Sequence, residues 1–119
     1  MMKTAYHEIR PFKTKDGALV RELMHPNRHG PMSQSLAEAT LPPGSRTLSH
    51  RHGCAEEIYH VTRGEGTVCL GETRFRVCPG DTLHIPPGTP HHIENQGAGP
   101  LKILCCCSPP YSHDDTELL

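Results

Sequence analysis

Short runs carrying apolar residues alternate along this chain with Gly and Pro, and that rhythm predicts strands. Twelve Pro and eleven Gly punctuate the 119 residues, placing a turn signal every few positions and leaving little room for helix. The runs lie near 5–9, 19–24, 33–40, 45–50, 57–63, 66–70, 73–77, 82–85, 91–95 and 101–107. In Thr73-Arg74-Phe75-Arg76-Val77 polar and large side chains alternate, the period of two that a half-buried strand needs. Gly71-Glu72 before it joins it to Thr67-Val68-Cys69-Leu70, and Gly at the first turn position predicts a type II′ hairpin. Ser35-Leu36-Ala37-Glu38-Ala39-Thr40 is rich in helix formers. It is short and stopped by Leu41-Pro42-Pro43-Gly44, so it is assigned to a strand, with tertiary context overriding propensity. Many short strands joined by turns make an all-β sandwich or barrel. The tail Asp114-Asp115-Thr116-Glu117 is acidic and reads as solvated.

Composition narrows the picture. A chain of this length makes one domain, with no room for an attached DNA-binding unit. Only 34% of residues are hydrophobic and there is no Trp, a thin core for one barrel, so a homodimer joined by a strand added between barrels is expected. Net charge is −1, and the twelve Lys and Arg are dispersed, without the basic patch that nucleic-acid binding leaves. No apolar run approaches the ~20 residues that cross a bilayer. The start, Met1-Met2-Lys3-Thr4-Ala5-Tyr6-His7-Glu8, lacks the apolar segment of a signal peptide. A cytoplasmic protein without membrane or nucleic-acid partners is expected. The six Cys include no Cys-x-x-Cys pair, and Cys105-Cys106-Cys107 are consecutive. They are therefore expected as reduced thiols in small, mostly buried positions.

The histidines carry the chemistry. His50 and His52 flank Arg51, and in a strand residues two apart share a face, about 6.6 Å apart. Two imidazoles so placed can lean onto one metal at ~2.0–2.1 Å. Glu57 follows a short turn and can arrive on a neighbouring strand. His91 follows the rigid turn Pro86-Pro87-Gly88-Thr89-Pro90. Three imidazoles and a carboxylate would suit Fe, Mn, Ni, Zn or Cu as the divalent ion.

Gly44-x5-His50-x-His52-x4-Glu57-x6-Gly64 and Gly80-x5-Pro86-x-Gly88-x2-His91-x3-Asn95 resemble the two motifs of the cupin superfamily in residue type and spacing. Together they span 44–95, with N-terminal strands over 1–43 and a C-terminal strand and tail over 96–119. The resemblance implies a double-stranded β-helix, or jelly roll. It also implies one metal per chain inside the barrel, with His50, His52, Glu57 and His91 as ligands. Glu56 competes with Glu57 for the carboxylate role, and the six-residue gap to Gly64 favours Glu57. If Glu57 points inward, so do Tyr59 and Val61, while Ile58, His60 and Thr62 point away. Tyr59 is thus a pocket candidate able to orient substrate or donate a proton. Cys105 and Cys107 share a face that could wall the cavity. His92 faces opposite His91. Asn95 reads as a strand-end residue, and His7, His25, His29 and His113 receive no role. Two functions fit: a metal-dependent enzyme, oxygenase-like or Lewis-acid isomerase or lyase, on a small organic molecule; or a non-catalytic module that holds a metal or small ligand.

Overall fold

Two antiparallel sheets face each other, and alternation along each strand decides what they enclose. The computed structural model describes residues 2–119. Its strands are β1 (Phe12–Lys13), β2 (Leu19–Met24), β3 (Ser35–Leu41), β4 (His50–His52), β5 (Glu56–Arg63), β6 (Gly66–Leu70), β7 (Thr73–Val77), β8 (Thr82–Ile85), β9 (His91–Glu94), β10 (Leu101–Ser108) and β11 (Thr116–Leu118). One sheet has the order β1-β2-β3-β10-β5-β8, the other β11-β4-β9-β6-β7. Non-consecutive neighbours in both are the signature of a jelly roll.

Along β5 the parity is as expected: Glu57, Tyr59 and Val61 are buried while Glu56, Ile58 and Thr62 are exposed. Register extends this across the sheet. Leu101 lies opposite Leu41, Ile103 between Ala39 and Val61, Cys105 between Ala37 and Tyr59, and Cys107 between Ser35 and Glu57. The interior therefore passes from aliphatic side chains at one end to polar ones at the other. Leu41, Val61, Val68, Ile93, Leu101 and Ile103 form one apolar cluster, and burial at ~25 cal/mol per Å² makes that cluster the main source of stability. The polar end can then be given over to chemistry.

Turns close as their residues require. Gly71 has φ +59° while Glu72 is not at positive φ, and Leu70 pairs with Thr73, which fits the type II′ hairpin. At Gly64, with φ +81°, a Cβ would stand 2.4 Å from the Pro100 carbonyl oxygen. Only glycine lets the end of β5 pass so close to the start of β10. β3 is a strand despite its helix formers, because it pairs with β2 on one side and β10 on the other.

The structure departs from expectation in several segments. Residues 5–9 do not form a strand; Tyr6–Glu8 is a 3-10 turn closed by Glu8 N–H to Ala5 O and Ile9 N–H to Tyr6 O. Tyr6 there lies under the Arg21 guanidinium, 4.6 Å from ring centre to carbon, a cation–π contact. Residues 45–50 are not one strand either. Arg46 makes an isolated bridge to Glu94, and pairing resumes only at His50, so the strand covers His50–His52. A short helix, Pro26–His29, was not anticipated; Pro occupies its first turn and the His25 ring accepts from the Asn27 N–H. The acidic tail is not simply solvated: Thr116–Leu118 pairs with β4 and Thr116 is buried.

Candidate metal centre

The four expected ligands reach the polar end of the interior from three strands. His50 and His52 occupy the two inward positions of β4, both buried, while Arg51 turns out to pair with Glu117 at 2.9 Å. His91 opens β9 directly opposite His50, delivered by the Pro86–Pro90 turn, whose Gly88 N–H is anchored on the His52 carbonyl at 2.7 Å. Glu57 corrects one expectation. It lies not on a strand neighbouring β4 but on β5 in the facing sheet, because residues 53–55 carry the chain across the barrel. Asp115 holds that crossing: its carboxylate accepts from the Cys54 N–H at 2.8 Å and the Ala55 N–H at 3.1 Å.

His50, His52, Glu57 and His91 expose 2, 4, 4 and 2% of their surface. One donor atom from each lies within 4.8 Å of the others. Glu56 is outside the cluster; it faces solvent and contacts His84 Nε2 at 3.0 Å.

The far nitrogens of the imidazoles fix how they face one another. His50 Nδ1 lies 2.8 Å from the Leu48 carbonyl and His91 Nδ1 2.9 Å from the Thr89 carbonyl, so each Nδ1 must donate. Thr116 Oγ1 donates its proton to the Ser112 carbonyl at 2.9 Å and stands 3.0 Å from His52 Nδ1, so it accepts from that ring too. All three rings are held with Nδ1–H outward and the Nε2 lone pair inward. Cys107 completes the set, its thiol donating to Glu57 Oε2 at 3.2 Å and leaving Oε1 to the cluster. Such outer partners orient metal-binding side chains.

Inside, acceptors meet acceptors. Glu57 Oε1 is 2.7 Å from His52 Nε2 and 3.4 Å from His91 Nε2, yet Glu57 Oε1 and His91 Nε2 are buried without a hydrogen-bond partner among the described residues. Buried unpaired polar atoms cost roughly 1–3 kcal/mol each, and a cation among them removes that cost. The residues fit a metal, and the buried three-histidine, one-glutamate cluster is consistent with one metal ion.

Electrostatics agree. Burial acts to raise the Glu57 pKa, but the neighbouring His52 and His91 rings outweigh it and hold the carboxyl far below the ordinary range. Burial also acts to lower His52, and there the Glu57 carboxylate wins and raises it. His50 is lowered, by burial first and by His91 second. Burial, then the Glu57 charge, pushes Tyr59, Cys105 and Cys107 up, so these groups stay protonated and the thiols are not nucleophiles. All three line the cavity beside the cluster, with the Tyr59 ring edge-on to His91 at 6.0 Å.

The remaining histidines separate from the site. His92 faces outward, where Cys69, His92 and Glu94 form a second grouping of possible ligands. The Arg74 guanidinium already sits there, 3.0 Å from Glu94 and 3.1 Å from Cys69, supplying the cation itself. His60 bonds Thr82 at 2.8 Å. His25 is buried, with Nε2 2.7 Å from the Tyr111 carbonyl, a structural role. Asn95 is structural too: its amide donates to the Leu41 and Gly99 carbonyls at 2.9 Å. Sequence reasoning missed Thr116 and Asp16, whose Oδ2 lies 3.4 Å from His50 Nε2. No local pattern marks either, since both arrive by long-range pairing.

A family model described as a cupin domain matches residues 37–107. The chain belongs to the cupin family. An uncharacterized protein of Methanocaldococcus jannaschii is 56% identical to this cupin over 119 residues, covering 100% of this chain and 95% of that protein. Auxin-binding protein 1 of Arabidopsis thaliana is 35% identical over 91 residues, 69% of this cupin. That match takes in 46% of the plant protein, so the chain spans about half the length of that relative. Among solved structures, a predicted oxalate decarboxylase from Thermotoga maritima superposes with a TM-score of 0.78 at 25% identity, covering 91% of this cupin and 99% of that chain.

Proposed function

We propose that this cupin is a metal-dependent enzyme acting on a small organic molecule, either oxygenase-like or a Lewis-acid isomerase or lyase. His50, His52, Glu57 and His91 would hold one divalent metal. The observation that carries this reading is the convergence of three Nε2 lone pairs and Glu57 Oε1 on one buried point. A metal held there would polarise a substrate oxygen or, as iron, activate O₂. The chain's own residues do the rest. Leu48, Thr89 and Thr116 hold the imidazole rings in one tautomer, Cys107 steers the carboxylate, and Tyr59 presents a protonated phenol beside the cluster. The aliphatic wall keeps bulk water from the site and so strengthens every charge interaction within it.

A second reading, a non-catalytic module that holds a metal or small ligand, draws support from the likeness to an auxin-binding protein. Metal analysis of protein purified without a histidine tag, followed by turnover assays on a panel of small substrates, separates the two. About one divalent metal per chain with turnover supports the enzyme, and oxygen uptake assigns it to the oxygenase class. Metal with ligand binding but no turnover on a broad panel supports the module.

The protein is further proposed to act as a homodimer in the cytoplasm, where its six free thiols suit a reducing compartment. Leu36 and Ile58 flank Cys106 across three strands on the outer face of the six-stranded sheet, and they are 37 and 45% exposed. A second copy covering that row would supply the burial the thin core lacks. Sedimentation is expected to show a dimer that Ile58→Lys weakens; monomer alone at micromolar concentration would refute this.

A further inference from the structure

The cavity beside the metal-site cluster is lined by acidic side chains. Its lining includes the carboxylates of Asp16, Glu22 and Glu57 but, among the described residues, no Lys or Arg. Lys15, next in sequence to Asp16, turns away and donates to the Thr116 carbonyl at 2.7 Å. Glu22 is partly balanced, with Arg28 Nε at 3.9 Å. For Asp16 the one ion-pair contact among the described residues is His50 Nε2 at 3.4 Å, and that nitrogen carries a lone pair, because its ring donates through Nδ1 to Leu48.

Asp16 is held there by design of the turn between β1 and β2. Oδ1 accepts from the Thr14 hydroxyl and from the Ala18 N–H at 3.1 Å. The Asp16 carbonyl accepts from the Leu48 N–H at 2.7 Å, which staples the turn to the segment leading into β4. Both bonds to the carboxylate use Oδ1, so Oδ2 is left facing the site with no donor of its own among the described residues. Its charge reaches the cavity walls: with burial, the larger cause, it helps hold Tyr59, Cys105 and Tyr111 protonated. The cavity measures about 60 Å³, and at roughly 10–15 Å³ per water-sized group it takes a ligand of about four to six heavy atoms.

Resting on the metal-site reading above, we propose that Asp16 is the substrate-facing acceptor of this site. The cavity then selects a small neutral or cationic molecule bearing a hydroxyl or amine donor, and it disfavours a dicarboxylate. A divalent metal with the Glu57 and Asp16 carboxylates sums to zero charge, so nothing at the site compensates a dianion. A donor group on the ligand instead satisfies Oδ2. This cupin would thus part in substrate chemistry from the predicted oxalate decarboxylase that shares its fold.

The experiment uses the full-length, metal-loaded protein, with ethanolamine and oxalate as probes in calorimetric titration. Asp16→Asn is the variant, since its amide oxygen can keep the Thr14 and Ala18 bonds while the charge is removed. Metal content is read first and is expected to be equal in the two proteins. Loss of one charge at contact range is worth on the order of tenfold or more in affinity. Asp16→Asn is therefore expected to weaken ethanolamine binding about tenfold and to strengthen oxalate binding by a similar factor. A shift of both probes in the same direction, or of neither, overturns the role of Asp16. Loss of metal in Asp16→Asn overturns it too, by making Asp16 a ligand. A wild-type protein that takes up no metal overturns the reading beneath, and the metal analysis shows this before any probe is added.

Discussion

His52→Ala is expected to lose most of its bound metal, with affinity weakened by roughly 10² or more. Four-ligand structural zinc sites in small peptides bind with about 10–16 kcal/mol; on that scale one ligand is worth about 3 kcal/mol, a factor of order 10² at 1.4 kcal/mol per tenfold. Removing the ring also leaves Glu57 Oε1 without its 2.7 Å neighbour and strips the Thr116 hydroxyl of its donor. Thr116→Val keeps all four ligands and lets the His52 ring rotate, so it should weaken affinity by only about tenfold, the lower end for an outer partner. Competition with a chromophoric chelator measures both. Thermal unfolding gives an independent reading. Saturating the wild type at about a thousand times Kd should add about 4 kcal/mol of stability, and the same metal concentration should add far less to His52→Ala. Unchanged metal content in His52→Ala would remove His52 from the site.

Why those residues could be found from sequence, and others not, follows from what alternation does and does not encode. His50 and His52 share a face because the side-chain period of a strand is two, and nothing beyond the strand is needed to see it. The inward parity of Tyr59, Val61, Cys105 and Cys107 follows in the same way, and the structure places all four on the interior. Parity is silent about which sheet a strand joins. Glu57, five residues after His52, looks adjacent in sequence yet crosses to the opposite wall. The site is closed from two sides because of that crossing. Thr116 and Asp16 lay further from view. Thr116 reaches His52 through a three-residue strand whose sequence, Thr-Glu-Leu, is too short and too acidic to announce itself. Asp16 arrives on a turn fixed by the Leu48 N–H, a contact between residues more than thirty positions apart. The 5–9 and 45–50 segments satisfy a strand template with few apolar residues, but the first closes into a 3-10 turn, and the second runs beside 93–95 only until the Thr47 hydroxyl takes the Ile93 N–H and interrupts the ladder.

Metal affinity should fall steeply as pH drops from about 8 to about 5, and the direction of each shift says where the fall begins. Metal and proton compete for Nε2. In the metal-free protein the Glu57 carboxylate raises His52 above the ordinary imidazole value of about 6.5, overcoming the opposing effect of burial. The first proton therefore binds His52 above pH 6.5, so competition with metal is already felt there. His50 is lowered by burial and by His91, so it keeps its lone pair to lower pH and adds its own proton only later. Glu57, held far below the ordinary carboxylate range, stays ionised across the whole window and contributes nothing to the slope. Each proton displaced costs up to about tenfold in affinity per pH unit. The stability of the metal-free fold responds with the opposite sign. The raised His52 pKa stabilises the metal-free fold fully below about pH 6.5, and that contribution is lost as pH rises through its folded value. The metal's contribution runs the other way, greatest at about pH 8 and fading towards 5. Melting curves with and without metal should therefore stand furthest apart at high pH and converge in acid, even though the Glu57 carboxylate never changes charge. A chelator-competition titration that stays flat from about pH 8 to 5 would mean that imidazole nitrogens do not bind the metal. A decline confined below about pH 4.5 would point to carboxylates in their place.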